Sequence, residues 1–360
     1  MKSCLAGGVA IGAGSFSYSW LTTEEEAAMR KSYTLQKNIQ EIQGVSEDEI
    51  NILFLASLAP SGHNTQPWKI TIKGPKRWGI SSESKRWLPA VDPDNREMML
   101  SIGAFIENLS VAAGIQGYEA EIDVVGKDTF SPEIAEVRFM KGKETGASDR
   151  AITGRRTIRK DLLNSAIREE DVKHLIGNHK SEVFYYPLNS KEGSYLSQVS
   201  LQANKAQVNR EAAQNELAEW IRWTDREARE YWNGLTPESM EMKGLIRWYA
   251  KHFLGKRDVL SKTFRNETIK LVEEQVRNCA GWLVVKSDRS TVGDLIKAGR
   301  VMQSAWLRAY EKLIAFHPMT QVLEEGPWRT QIAEELGHTG RIQFIIRIGY
   351  VTEYLEPGNW

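Results

Sequence analysis

Between Pro60 and Pro67 the chain reads Ser61, Gly62, His63, Asn64, Thr65, Gln66. Five of these six side chains carry hydrogen-bonding atoms, and Trp68 follows with an alternating "KITIK". Two uses fit such a turn. Ser and Asn satisfy the main chain of their own turn, or the group lines a pocket for a polar, flat ligand. His63 alone is no catalytic signal.

Residues 154–162 form a second unusual stretch, "GRRTIRKDL", with Arg155, Arg156, Thr157 and Arg159 close together beside a glycine. Guanidinium forks bind phosphate oxygens two at a time, and a threonine hydroxyl adds a donor. A solvated basic turn accounts for the same residues equally well. The third stretch is "FHPMTQ", residues 316–321. It reads as a helix stop, or as a loop aiming main-chain N–H groups at a ligand. Glycine-rich dinucleotide and phosphate loops, GxSxG and HExxH are all missing from the sequence.

Elements that would position these stretches follow from periodicity. "VSEDEINILFLASLA" predicts a helix opened by a capping box of Ser46 and Glu49 and closed by Pro60. Strands are expected at 68–73 and 77–82. The run from Asp92 to Gly117 predicts a central helix, apolar nearly all round, ending at Gly114 or Gly117. "YEAEIDVV" and "EIAEVRFM" read as strands. After a polar stretch, "EVFYYPL" is a strand and about 190–232 is a long charged helical region. Helices are expected at about 238–254 and 262–279. "GWLVVKS" reads as a buried strand, "STVGDLIKAGRVMQSAWLRAYEKLIAF" as one long helix stopping at His317-Pro318, and "IQFIIRIGY" as a last strand. Each half thus shows helix, strand, long helix, strand: an α+β arrangement in duplicate, without the alternation of a doubly wound fold.

The 360 residues are 41% hydrophobic, enough for a sizeable core, and Lys+Arg and Asp+Glu both number 47. A neutral chain argues against recruitment of nucleic acid or of an anionic membrane by the whole-molecule field. Cys4 and Cys279 form no disulfide framework, and no His/Cys spacing suits a metal. The 12 tryptophans serve packing or stacking on a planar ligand. Residues 1–20, one lysine before a mild Gly/Ala-rich stretch, are too short and mild to span a membrane. They look like a twin-arginine-type signal missing its front. Export is expected if translation starts upstream, a cytoplasmic location otherwise.

Together, "APSGHNTQPW" and "RRTIR" resemble the A-P-S-x-x-N-x-Q-P-W and R-R-S-x-R elements of the nitroreductase-like flavoproteins. In ordinary members, which are homodimers, the arginine element comes first and the serine turn follows; one subunit supplies each to a flavin at the interface. Here the turn lies in the first half and the arginine element opens the second. This resembles the twin-domain, Acg-type branch, in which one chain imitates the dimer and keeps one complete site. The resemblance implies halves at 21–147 and 148–360, with a helical insert at about 200–260. It implies a monomeric pseudo-dimer holding FMN. Arg155 and Thr157, with Arg156 close by, would hold phosphate and ribityl chain. Arg159 would lie near flavin N1 and the C2 carbonyl, where a cation tunes the potential. Pro60, Ser61 and Gly62 would cross onto the ring, with Asn64 bracing them. The loop of Met319, Thr320 and Gln321 would approach N5.

Two departures from the family pattern matter. The chain lacks a basic pair beyond the last strand, for which Arg347 is the candidate replacement. The insert would roof the site or block it. The implied activity is an NAD(P)H-dependent oxidoreductase: hydride passes to the flavin, then electrons to a small nitroaromatic or quinone-like acceptor, with no side-chain acid or base needed. Hydride transfer requires stacking within about 3–3.5 Å, which a blocking insert prevents. The alternatives are an FMN-binding or FMN-storing protein with little turnover, and an oxygen-dependent enzyme acting on the flavin itself.

Overall fold

Ser46 Oγ accepts from the Glu49 N–H at 3.4 Å, while Glu49 Oε2 accepts from the Ser46 N–H at 3.0 Å. This reciprocal cap starts α1 (Glu47–Ser57). The computed structural model describes residues 45–354. The signal segment expected at 1–20 lies outside them.

Two four-stranded sheets follow, each wholly antiparallel. The first holds β1 (Trp68–Gly74), β2 (Arg77–Ser82), β3 (Tyr118–Val124) and β4 (Ala135–Lys141) in the order β1-β2-β4-β3. Between its hairpins runs α2 (Arg96–Ile115). Asp92 caps this helix, its Oδ2 accepting the Met98 N–H at 2.9 Å.

The short α3 (Arg150–Gly154) and α4 (Glu169–Ile176) then lead into the second sheet. It holds β5 (Val183–Pro187), β6 (Gly281–Ser287), β7 (Ile314–Pro318) and β8 (Arg341–Tyr350), in the order β5-β6-β8-β7. Between β5 and β6 lie α5 (Lys191–Val208), α6 (Glu211–Trp220), α7 (Asp225–Tyr231), α8 (Gly244–Phe253), α9 (Lys256–Val259) and α10 (Lys262–Arg277). Next comes α11 (Val292–Glu311), and between β7 and β8 lie α12 (Gln321–Glu324) and α13 (Trp328–Glu335).

The two long helices pack on each other through glycine. A Cβ on Gly103 would meet Ile296 O at 2.3 Å, and one on Gly299 would meet Leu100 O at 2.1 Å. No larger residue permits that approach. The buried Gln303 Nε2 donates to Asn108 Oδ1 at 2.7 Å across the same interface. By length and composition α2 could cross a membrane; 78% of its most apolar window is buried inside this protein. Strand β6 is buried on both faces. Leu283 and Val285 join the core around α2 and α11, while Trp282 and Val284 join a second core under α5 and α10.

Two element expectations need correction. The long helix stops at Glu311 rather than at His317, and Ile314–Pro318 is strand β7, paired with β8. The break is at Leu313, whose φ of 52° is left-handed without a glycine to mark it. An apolar run continuous with a helix does not reveal such a change by periodicity. Likewise the helix expected from about 238 starts only at Gly244.

Candidate functional site

The serine turn leaves α1 at Leu58 and is braced from within. Ser61 Oγ accepts the Gln66 N–H at 2.9 Å, and Arg86 Nη1 donates to Gln66 O at 2.9 Å. Three residues here, His63, Asn64 and Gln66, hold φ near +50°. Left-handed non-glycine residues cost energy and gather at functional sites. Burial pushes the His63 imidazole down to about 4, so it is neutral near pH 7.

Asn64 and Gln66 of the turn reach across to the helical region between β5 and β6. Asn64 Nδ2 donates to Gly234 O at 3.0 Å, and the Gly234 N–H donates back to Asn64 O at 3.0 Å. Gln66 Nε2 donates to Trp232 O at 2.6 Å.

The arginine stretch begins where α3 ends. Gly154 is packed on Tyr310, whose Oη would lie 2.3 Å from an added Cβ. Arg155 donates to Leu58 O, and its guanidinium lies 4.7 Å over the Trp306 ring. Burial pushes it down to about 10, still charged at pH 7. Arg156 Nη2 donates to Glu238 O at 3.4 Å. Thr157 is half-buried. The Arg159 N–H donates to Glu241 Oε1 at 2.7 Å, and its Nη1 to Ser239 O at 2.7 Å.

One segment, residues 232–241, therefore touches both stretches. It offers Trp232 and Gly234 to the serine turn, and Glu238, Ser239 and Glu241 to the arginines. The segment's Gly234 N–H donates to Asn64 O, and the segment meets the donors among these residues through main-chain carbonyls and one carboxylate. Those are oxygen acceptors of the kind a phosphate would present to the same donors.

Arg347 is turned onto main-chain carbonyls. Its Nη1 donates to Gln275 O at 2.6 Å and its Nη2 to Arg159 O, so it holds the main chain of the arginine stretch. His317 pairs with Arg347 across β7 and β8. Burial first, then the Arg347 and Arg159 charges, hold its imidazole well below the usual range. Among the described residues no partner reaches Arg155 Nε, His317 Nδ1, Gln321 Oε1 or Arg347 Nε.

The third stretch divides. The Met319 N–H bonds Ile345 O at 2.8 Å and its side chain is buried in the second core, so neither faces an open site. Thr320 Oγ1 donates to Glu324 Oε1 at 2.6 Å. Glu324 in turn contacts Glu97, whose Oε2 lies 3.5 Å from where a Cβ on Gly62 would stand. Gly62, Glu97, Glu324 and Thr320 are thus contiguous.

Burial and the facing Glu324 carboxyl push Glu97 up to about 8, and burial raises Glu324 too. Two carboxyls in contact, out of water, share a proton at neutral pH. Neither Glu97 nor the 232–241 segment stood out in the sequence. Glu97 belongs to no motif, and the 232–241 segment overlaps only the ends of the helical regions expected at about 190–232 and 238–254.

Open space here is small. A cavity beside Gly62, Leu88 and Glu97 holds about 10 Å³, room for roughly one water. Another, beside Ile158, Lys160 and Lys243, holds about 80 Å³.

No family model matches the chain. A probable NAD(P)H nitroreductase, PigM of a Serratia species, is 24% identical over 318 residues, 83% of this chain and 87% of that protein. A Mycobacterium tuberculosis protein named as an NAD(P)H nitroreductase is 38% identical over 72 residues, 20% of this chain and 21% of its own length. Among solved structures, the FMN-dependent nitroreductase NfnB of Mycobacterium smegmatis, in complex with NADPH, aligns with a TM-score of 0.36 at 13% identity, over 58% of this chain and 93% of that one. The chain is thus similar in sequence to a probable nitroreductase over most of its length, and to a second one over a short stretch.

Proposed function

We propose that the chain is an FMN-dependent oxidoreductase of nitroreductase type, with one flavin site formed between its halves. The nitroreductase-like relatives support the reaction class. The observation that carries the site is the meeting of the two stretches: Arg155 on Leu58, and Asn64 and Arg159 on one segment of ten residues. Two sheets of the same strand order and two long helices crossing at Gly103 and Gly299 support a pseudo-dimer within one chain.

The donor set fits a phosphate. Arg156 and Arg159 already bind oxygen acceptors, and Arg155 keeps its charge beside them. Arg155, Arg156, Thr157 and Arg159 would hold the phosphate and ribityl end. Pro60, Ser61 and Gly62 would face the ring, and Thr320 and Gln321 would border it. Residues 232–241 already take up the donors of Asn64, Gln66, Arg156 and Arg159 that a flavin at this place would use. Loading therefore requires that segment to move, and Asn64, Gln66 and Arg159 are the contacts it must release. Bound flavin would supply hydride acceptance from NAD(P)H and electron delivery to a nitroaromatic or quinone-like acceptor.

The covering segment favours a second reading, a protein that holds FMN with little turnover. The test is anaerobic addition of NADPH to the flavin-loaded protein. Rapid loss of the yellow colour is the expected result. Colour that persists removes the NADPH-dependent enzyme and leaves the storage reading. Protein that takes up no flavin overturns both.

A further inference from the structure

Helix α8, "GLIRWYAKHF", is turned inside out. Leu245, Ile246 and Phe253 are 84%, 70% and 60% exposed, and Trp248 and Tyr249 are exposed with them. The charged residues point inward instead. Arg247 and Lys251, with side chains 13% and 19% exposed, pair with Glu238, and Lys251 also pairs with Asp225. Only Ala250 of this helix is fully buried, against Ala218, Ile221, Trp223 and Val259.

The exposed residues form one continuous stripe. Leu245, Trp248, Tyr249, His252 and Phe253 follow the spacing of a single helical face. Trp248 stacks on His252 at 4.8 Å, and Tyr249 meets Phe253 at 5.1 Å. A contiguous apolar face of this kind marks an interaction surface.

Charge indicates what covers it. From Met242 to Arg257 there is no acidic residue and there are five Lys or Arg. Exposed Lys243 stands at one end of the stripe, and exposed Lys256 and Arg257 at the other. Lys256 pairs with Glu219, itself exposed. Trp and Tyr prefer the level of lipid headgroups, and cations at both ends of an apolar helical face match an anionic surface.

We propose that α8 docks on an anionic lipid surface, lying flat with its apolar stripe in the headgroup boundary. This inference rests on α8 and the cations that flank it, and stands whether or not the chain binds flavin. It also differs from a span, since α8 is only 10 residues long.

Sedimentation of the full chain with phosphatidylglycerol/phosphatidylcholine vesicles tests it. Binding to these vesicles, weakened by salt and by omission of phosphatidylglycerol, is the expected result. Leu245→Glu with Phe253→Glu should abolish co-sedimentation without lowering the melting temperature, because both positions are exposed. Lys243→Gln with Arg257→Gln should weaken binding about thirtyfold while leaving the apolar stripe intact. Absence of vesicle binding overturns the proposal. So does a wild-type dimer that the double glutamate variant splits, with no affinity for vesicles; a second copy would then be the partner.

Discussion

The guanidinium of Arg155 ends on the carbonyl of Leu58, so a side chain 97 residues further along the chain closes the helix that launches the serine turn. The same guanidinium carbon lies 4.7 Å from the centre of the Trp306 ring. The charge thus binds the end of α1 through a hydrogen bond and rests on α11 through the Trp306 ring. Segments distant in sequence converge around this contact, and the 232–241 segment crosses beside it.

Asn64→Gly isolates the hold on that segment. Glycine tolerates the left-handed φ of 53° at this position, so the turn survives while the amide bond to Gly234 is lost. A net loss of about 0.5–1.5 kcal/mol is expected. Amide hydrogen exchange should rise in residues 232–241 and stay unchanged in α2. Equal protection in both proteins would show that the amide does not restrain the segment.

Arg159→Ala addresses the proposed phosphate end. Loss of a desolvated charged contact should weaken FMN binding by about 2–5 kcal/mol, measured by titration of flavin fluorescence. Glu241→Gln, which keeps the shape but removes a competing negative charge, should bind FMN more tightly than wild type. Retention of flavin by Arg159→Ala at wild-type affinity would remove Arg159 from the site.

The elements were largely legible because capping boxes and periodicity are local. Ser46 and Glu49, the alternation of Trp68–Gly74 and the apolar run of α2 each declare themselves within a few residues. What stayed hidden depends on partners far along the chain. Ile314–Phe316 become strand only because β8 pairs with them, as at Phe316 and Ile348. In sequence Arg347 is the candidate replacement for a missing basic pair, and its direction, which a strand position alone does not give, is set by the carbonyls of Gln275 and Arg159. The two short stretches carry motifs, but residues 232–241, which contact both, carry none and could not be singled out from the sequence.

Gly299→Ala tests the helix crossing. The new methyl would stand 2.1 Å from Leu100 O and 2.9 Å from Gly103 Cα, both main-chain atoms that cannot swing aside. Overpacking of this sort costs about 1–3 kcal/mol. The urea midpoint should fall accordingly. Gly293→Ala, on the same helix with nothing within 4 Å, should leave it unchanged or raise it. Equal midpoints for both variants would mean that the helices separate freely enough to take the methyl.

The carboxyl cluster makes stability depend on pH in an unusual direction. Glu97, Glu324 and Asp92 all have raised folded values: Glu97 to about 8 and Asp92 to about 6, from 4.5 and 3.8. Burial is the main cause for each. Glu324 adds to it at Glu97, and Glu97 at Asp92, while Arg96 opposes at all three. The folded chain therefore holds more protons than the unfolded chain between about pH 4 and 8, and the stabilisation falls as pH rises through that window. Glu97→Gln keeps a neutral group able to donate to Glu324 at every pH. Its melting temperature should match wild type near pH 5 and exceed it near pH 8, with Arg96 still bonded to Gln343 in both. If the two profiles run parallel from pH 5 to 8, Glu97 carries no shared proton and the pair is ionised throughout.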